Sequence, residues 1–494
     1  MLDLLGRGRQ LYRELVALAV EEGFQLTEEA LRALQERENP LDDLLKTISM
    51  LKQQSPDAVV IGVADIERAC MEQAHAIPTT PEDNPTQQTT CTAVLSIEES
   101  YRIEGSIAEF QQYFLSRYHG IRRILEKRRL NFIPAAELYA LRDGEEAQFV
   151  GILQSRQEYG GGLRLELDDP SGNITVYVSK KNSQLYAQAS ELLNDVVVGL
   201  RVRRVGNILS LKDIIYPDVE ENSQQTHPPV DVSICLISDV HVGSKHFRRD
   251  LFEKFLDWLN RGRDGEVKRV RYLVVDGDLV EGVGVYPGQE RDLVYRNVEE
   301  QMREAGKLLE EVPEHVELFY IPGNHEPVRR AVPQPPLQER YRVFFTSRKR
   351  INFTSNPSTL VVEGRNLLIY HGQGLDEVIQ SMPDISYSSL RTTANKVVTA
   401  LLKFRHLAPV YGGNTQLLPT REDRLVIYEK PYLLQTGHIH VTVNTVYHGV
   451  KVVNTGAWQD QTEYQKAAGL EPVVGYAALV DLGKNSVVLK YFGG

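Results

Sequence analysis

Apolar positions in the first fifty residues recur at helical spacing. Leu11, Leu15 and Leu18 fall on one face, and Leu31 and Leu34 continue the pattern behind Thr27, Glu28 and Glu29, which read as an N-cap with acids in the first turn. Residues 1–72 are therefore expected to form a helical module. The period then breaks in HAIPTTPEDNPTQQTTCT, rich in Pro, Thr and Gln and poor in large apolar residues, so 73–105 reads as a flexible linker. Helical spacing returns from Ser106 in SIAEFQQYFLSRY, predicting a helical connector over 106–137. Its end carries Arg122, Arg123, Lys127, Arg128 and Arg129, a run that usually marks a solvated face.

From 138 to 220 the pattern changes to short strands with glycine-marked tips. QFVGILQSRQ, the tip Gly160-Gly161-Gly162 and LRLELDD predict a hairpin, and ITVYVSK supplies a third strand. A helix-like LYAQASELLND and two more strands follow, the order expected of a five-stranded OB barrel. Such barrels bind single strands through aromatic and basic residues. Tyr159, Arg164 and Tyr177 are the candidates, opposed by Glu166, Asp168 and Asp169, so a protein-contact or scaffold role is favoured. Beyond EENSQQTHPP, apolar strands alternate with amphipathic helices, predicting a layered α/β domain over 231–494 and a multidomain α+β chain.

Composition limits the function classes. A chain of 494 residues exceeds one core and suggests two to four domains. No apolar run approaches the roughly 20 residues of a membrane helix, and the charged N-terminus lacks a signal-peptide pattern, so a cytoplasmic protein without membrane contact is expected. Cys70, Cys91 and Cys235 are too few and scattered for a disulfide framework or a zinc ribbon. The net charge of -11 argues against autonomous tight DNA binding, because phosphate contacts dominate that affinity.

Chemistry is concentrated in five segments of the last domain, each an apolar strand ending in a polar turn. They are CLISDVHVG (Asp239, His241), YLVVDGDLVEG (Asp278), LFYIPGNHEP (Asn324, His325), LLIYHGQG (His371) and LLQTGHIHV (His438, His440). Functional groups gather beyond the carboxyl ends of strands in α/β sheets, so the five turns are expected to share one rim. These residue types suit a pair of divalent cations about 3.5–4 Å apart acting on a phosphoester. Asp278 is the natural bridge, with Asp239, His241 and His440 completing one site and Asn324, His371 and His438 the other. Mixed imidazole and oxygen ligation points to manganese first, with iron or zinc as alternatives, rather than magnesium. His325 is left over as the general acid for the leaving oxygen, with Glu326 expected to hold its tautomer. Arg329 and Arg330 are candidate phosphate contacts. A D-x-H or a G-D alone arises often by chance; five such clusters, holding five of the chain's 12 histidines, do not.

In this order the D-x-H, G-D, G-N-H-E, H-G and G-H-x-H elements resemble the calcineurin-like metallophosphoesterases, over roughly residues 231–494. A narrower resemblance covers nearly the whole chain. Its layout, with LISDVHVGSKHF, IPGNHEPVRRAVPQPP and NTGAWQDQTEYQKAAGLEP, is similar to the small subunits of archaeal family-D DNA polymerases. That resemblance implies a 3′→5′ exonuclease acting on the 3′ end of primer–template or single-stranded DNA. It also implies release of 5′-mononucleotides and a scaffold role for a separate large polymerase subunit. The eukaryotic B-subunits that share the layout have generally lost the ligands, which this sequence keeps. The competing readings are a phosphatase or phosphodiesterase on the same scaffold, and a non-catalytic structural subunit.

Overall fold

The computed structural model describes residues 15–16, 18–19, 24–35, 40–54, 60–61, 66, 91–94, 103–221, 227–345 and 351–493. Leu11, Cys70 and most of the segment read as a linker lie outside these residues. The chain divides into two compact units, Met1–Gln87 and Gln88–Gly494.

In the first unit the helices Glu28–Gln35 and Pro40–Gln54 bury Leu31, Leu34, Leu44, Ile48 and Leu51 together with Leu15. Thr27 caps the first of them, its Oγ1 accepting the Ala30 N–H at 3.1 Å. Gln25–Leu26 also pairs in parallel with Val60–Ile61. Strands of two residues leave no alternation to read, so helical periodicity does not reveal this pair.

The second unit opens with an edge strand, Cys91–Val94, inside the segment expected to be a linker; it pairs antiparallel with Ser358–Val362. The connector helix Ile107–Glu126 starts at a capping box between Ser106 and Glu109. Its basic run is mostly occupied by the protein itself. Arg122 meets Glu126 at 2.7 Å, and Arg128 donates to the Tyr216 and Asp218 carbonyls at 2.8 and 2.9 Å.

A closed five-stranded barrel follows, in the order Glu146–Tyr159, Gly162–Asp169, Gly172–Ser179, Ile208–Ile215, Val197–Val205. The helix Ser183–Ser190 separates the third strand from the last two in sequence, as the pattern predicts. Leu163, Leu165 and Leu167 fill the interior on alternate positions of one strand. Among the barrel's candidate contacts, Tyr159 and Tyr177 lie 5.7 Å apart between ring centres, while Arg164 is paired with Glu166. That guanidinium is therefore not a free phosphate contact.

The remainder forms two six-stranded sheets, one ordered Ile351–Phe353, Glu317–Ile321, Val270–Asp276, Ser233–Ile237, Tyr476–Asp481, Ser486–Tyr491. The other runs Thr442–Tyr447, Val450–Thr455, Leu433–Thr436, Arg365–Ile369, Ser358–Val362, Cys91–Val94. Period-two burial sorts each strand between two cores. Ile234, Leu236, Tyr272 and Val274 face Leu367, Ile369, Leu433 and Val453 between the sheets. Cys235, Ile237, Leu273 and Val275 instead pack under the helices Arg249–Arg261 and Val298–Glu310. The outer face of the second sheet is covered by Leu375–Ser381 and Leu390–Lys403. This helix–sheet–sheet–helix layering makes the protein multidomain α+β. One apolar cluster runs from Phe149 and Leu165 of the barrel to Val397 and Leu401 of the helix Leu390–Lys403, so barrel and sheets share a core.

Candidate metal centre

Strand direction places the site. Ser233–Ile237, Val270–Asp276 and Glu317–Ile321 are mutually parallel, as are Arg365–Ile369 and Leu433–Thr436 in the facing sheet. The five ligand-rich turns leave the carboxyl ends of these five strands. Asp239, His241, Asp278, His438 and His440 all adopt left-handed backbone, with φ of 53, 57, 49, 67 and 52°. Such conformations cost non-glycine residues energy and gather where function demands them. A side chain on Gly277, whose φ is 74°, would strike the His371 ring, and one on Gly323 would strike the Asp278 carboxylate.

Three groups of possible ligand atoms result, each spanning no more than 4.8 Å: Asp239 with His241 and His440, Asp278 with His371 and His438, and His241 with Glu281 and His325. In the first, the Nε2 atoms of His241 and His440 face each other at 3.1 Å, and His440 Nε2 lies 3.2 Å from Asp239 Oδ1. In the second, His371 Nε2 lies 3.1 Å from Asp278 Oδ2, and His438 Nδ1 lies 3.0 Å from Asn324 Oδ1. His371 Nε2 is also 4.0 Å from Asp239 Oδ1, so the groups adjoin.

The donor set fits cations. His371 Nδ1 donates to the Asp276 carbonyl at 2.9 Å, which turns the Nε2 lone pair toward a carboxylate that is also an acceptor. Two buried acceptors at that distance need a proton or a cation between them. Burial alone would lower the His371 pKa, but Asp278 and then Asp239 hold it well above the usual imidazole value. Burial likewise opposes charge on His241, yet Glu281, Asp278 and Asp239 raise it to about 9. Asp278 resists its own burial and stays well below the usual carboxylate range beside His325 and His371.

His325 sits beside this set. Its Nδ1 is 2.6 Å from the Glu281 carbonyl, its Nε2 is 3.8 Å from Asp278 Oδ2, and its ring meets His241 edge-on at 4.7 Å. With Nδ1–H given to the carbonyl, Nε2 is the atom left facing the ligands.

Comparison with known proteins places the chain in a family. Residues 234–442 match the DNA polymerase alpha/epsilon B-subunit family. The "DNA polymerase II small subunit" of Methanothermobacter thermautotrophicus is 36% identical over 388 residues, covering 77% of this chain and 78% of that protein. That of Archaeoglobus fulgidus is 37% identical over 395 residues, covering 79% and 78%.

The chain belongs to the archaeal DNA polymerase II small-subunit family.

Within this small-subunit chain, all seven residues read as ligands meet at one rim. Glu326 does not hold the His325 ring, contrary to expectation. Its carboxylate accepts backbone N–H groups from Gly323, Leu279 and Asp278 at 2.6, 2.8 and 2.9 Å, and the Tyr320 hydroxyl at 2.8 Å. It thereby ties the G-N-H-E turn to the G-D turn. Arg329 donates to the Pro333 carbonyl at 2.7 Å and Arg330 to that of Gly284 at 2.8 Å, so both guanidiniums brace loops.

Two carboxylates escaped the sequence reading. Glu281 takes His241 Nδ1 at 3.0 Å and is itself held by Gln459 Nε2 at 2.7 Å and the Tyr286 hydroxyl at 2.9 Å. Burial opposes its charge, but His241 and His325 bring its pKa to about 2. Asp376 takes His438 Nε2 at 3.0 Å and accepts from the Tyr387 hydroxyl at 2.8 Å. Glu281, an acid closing the apolar pair Leu279-Val280, carried a faint signal; Asp376, exposed in pattern at a helix start, carried none.

Proposed function

We propose that this chain is a 3′→5′ exonuclease of the calcineurin-like phosphoesterase type that proofreads for, and helps assemble, a large catalytic polymerase subunit. The observation that carries this reading is the pair of adjoining ligand groups, each with its imidazoles oriented by a second contact. Glu281 orients His241, the Asp276 carbonyl orients His371 and Asp376 orients His438.

Asp239, His241 and His440 would hold one cation, Asn324, His371 and His438 the other, with Asp278 between them. Two such ions, manganese by preference, would clamp the attacking and leaving oxygens of an in-line displacement at phosphorus. Water adds to phosphorus and releases one proton to solvent, the bond from phosphorus to the penultimate 3′ oxygen breaks, and His325 Nε2 gives that oxygen a proton that it later regains from solvent. For this His325 must enter the reaction carrying both ring protons. The product is a 5′-mononucleotide. Preference for a mismatched end follows from the lower cost of unpairing it.

The relatives are named as small subunits, which supports a large partner that supplies most of the grip on duplex DNA. Net charge of -11 accords with that division of labour. Product analysis tests the activity. An oligonucleotide incubated with the chain and manganese should yield 5′-mononucleotides from its 3′ end only. Intact DNA alongside phosphate release from small monoesters would reject the exonuclease in favour of a phosphatase.

A further inference from the structure

Beside the candidate metal centre stands an aromatic pair that nothing in the hydrolysis uses. Tyr464 is 54% exposed, and its ring stacks on that of Tyr286 with centres 5.0 Å apart and planes at 28°. Tyr286 in turn lies 6.3 Å from the His325 ring. A single exposed aromatic is ordinary on a protein surface. This one is fixed from both sides. The Tyr286 hydroxyl donates to Glu281 at 2.9 Å and lies 3.1 Å from Asp292, so its ring cannot swing away.

Tyr464 belongs to the short helix Glu463–Ala468, started by a capping box between Thr462 and Gln465. The Gln465 amide from the same turn lies 3.0 Å from Nδ1 of His440. The helix that carries the exposed ring is thereby registered against a metal ligand. Tyr387 is anchored through Asp376 to His438. Tyr286 and Tyr387 therefore both spend their hydroxyls on carboxylates that contact histidines of the centre.

We propose that the Tyr286–Tyr464 pair is a stacking platform for a nucleobase of the substrate strand. Because it adjoins His325, the base it receives is that of the penultimate nucleotide, whose 3′ oxygen departs. This rests on the exonuclease reading for the identity of the leaving group. The chemistry suits the task. Every base offers a π-face, so stacking holds a strand without reading its sequence, as an enzyme that must remove any terminal nucleotide requires. The engaged hydroxyl fixes the Tyr286 ring, and the half-exposed Tyr464 ring lies stacked on it. A rigid ring also loses little freedom when it receives a base.

The test uses the full chain and short single-stranded DNA with 2-aminopurine at the penultimate position, read by fluorescence after metal removal. Binding to wild type should quench the fluorophore. Tyr464→Ala should weaken affinity about tenfold, while Tyr464→Phe keeps it. With an abasic penultimate residue, wild type and Tyr464→Ala should bind equally. Equal loss on base-bearing and abasic strands would assign Tyr464 a structural role and overturn the platform. Unquenched binding by wild type would overturn it too. Manganese-dependent hydrolysis of the same strands separates the two readings. Quenching that depends on the aromatic ring, with no cleavage, would uphold the platform and reject the exonuclease. Cleavage by Tyr464→Ala with the wild-type preference for base over abasic ends would do the reverse.

Discussion

Glu281 lies 3.0 Å from Nδ1 of His241 and outside the seven residues read as ligands, and the proposal assigns it the orientation of that ring. Its own oxygens are fully engaged, by His241, Tyr286, Gln289 and Gln459. Removing the charge while keeping the shape isolates this role. Glu281→Gln should weaken manganese affinity about 10–100-fold in a direct titration, the usual consequence of losing such a supporting carboxylate. Unchanged affinity would mean that His241 needs no such orientation. His325 makes the opposite case, since the proposed mechanism gives it a proton to deliver and no ion to hold. His325→Ala should bind manganese as wild type does and lose about 10²–10⁴-fold in turnover, the span of a general acid. Loss of metal from this variant would recast His325 as a ligand.

Among elements, the connector helix Ile107–Glu126 is tied to the α/β region by a fully buried contact. Arg117 Nε meets Asp423 at 2.7 Å and donates through Nη1 to the Pro409 carbonyl at 2.6 Å; His406 Nε2 meets the same carboxylate at 2.8 Å. Burial opposes charge on Asp423, but His406 and Arg117 press its pKa far below the usual range. Burial, with Arg117 nearby, also lowers that of His406. Both folded pKa values lie below the unfolded ones. Each contribution is thus complete above its unfolded pKa and is lost on acidification, beginning near about pH 6.5 for His406 and about pH 3.9 for Asp423. Arg117→Met strands a buried carboxylate and should cost about 3–5 kcal/mol by denaturant unfolding. The deficit should shrink at about pH 5.5, where His406, freed of the nearby guanidinium, can take a proton and pair with Asp423. A deficit that does not change with pH would show that His406 plays no such part.

At this scale the sequence was legible wherever one segment holds its own signal. Apolar runs stopped by glycine and a ligand-type residue gave all five turns, and period-two strands around a short helix gave the barrel. What stayed hidden depends on partners distant in sequence. Cys91–Val94 is a strand only because Ser358–Val362 offers an edge. Glu326 lies next to His325 in sequence, but its carboxylate turns instead to the G-D turn. Asp376 gains meaning only from His438 across the rim. The two-residue strands of the first unit are too short to announce themselves.

For the whole molecule, barrel and sheets share one apolar cluster, so deleting the barrel would expose core rather than remove a module. Partner docking is better probed by charge and surface. A chain of net charge -11 should bind primer–template weakly alone, with a shallow dependence of affinity on salt; adding the large subunit should steepen that slope as more phosphates are neutralised. An equally steep slope for the isolated chain would place the DNA grip on this subunit. The proposed function depends on the metal centre acting at a 3′ end. The decisive measurement follows a 3′-mismatched primer–template with manganese, comparing wild type, His325→Ala and Asp278→Asn while counting bound metal. Stepwise 3′ shortening by wild type is expected, lost in His325→Ala with metal retained and in Asp278→Asn with metal binding weakened. No shortening by wild type that holds two ions, with or without the large subunit, would contradict the exonuclease.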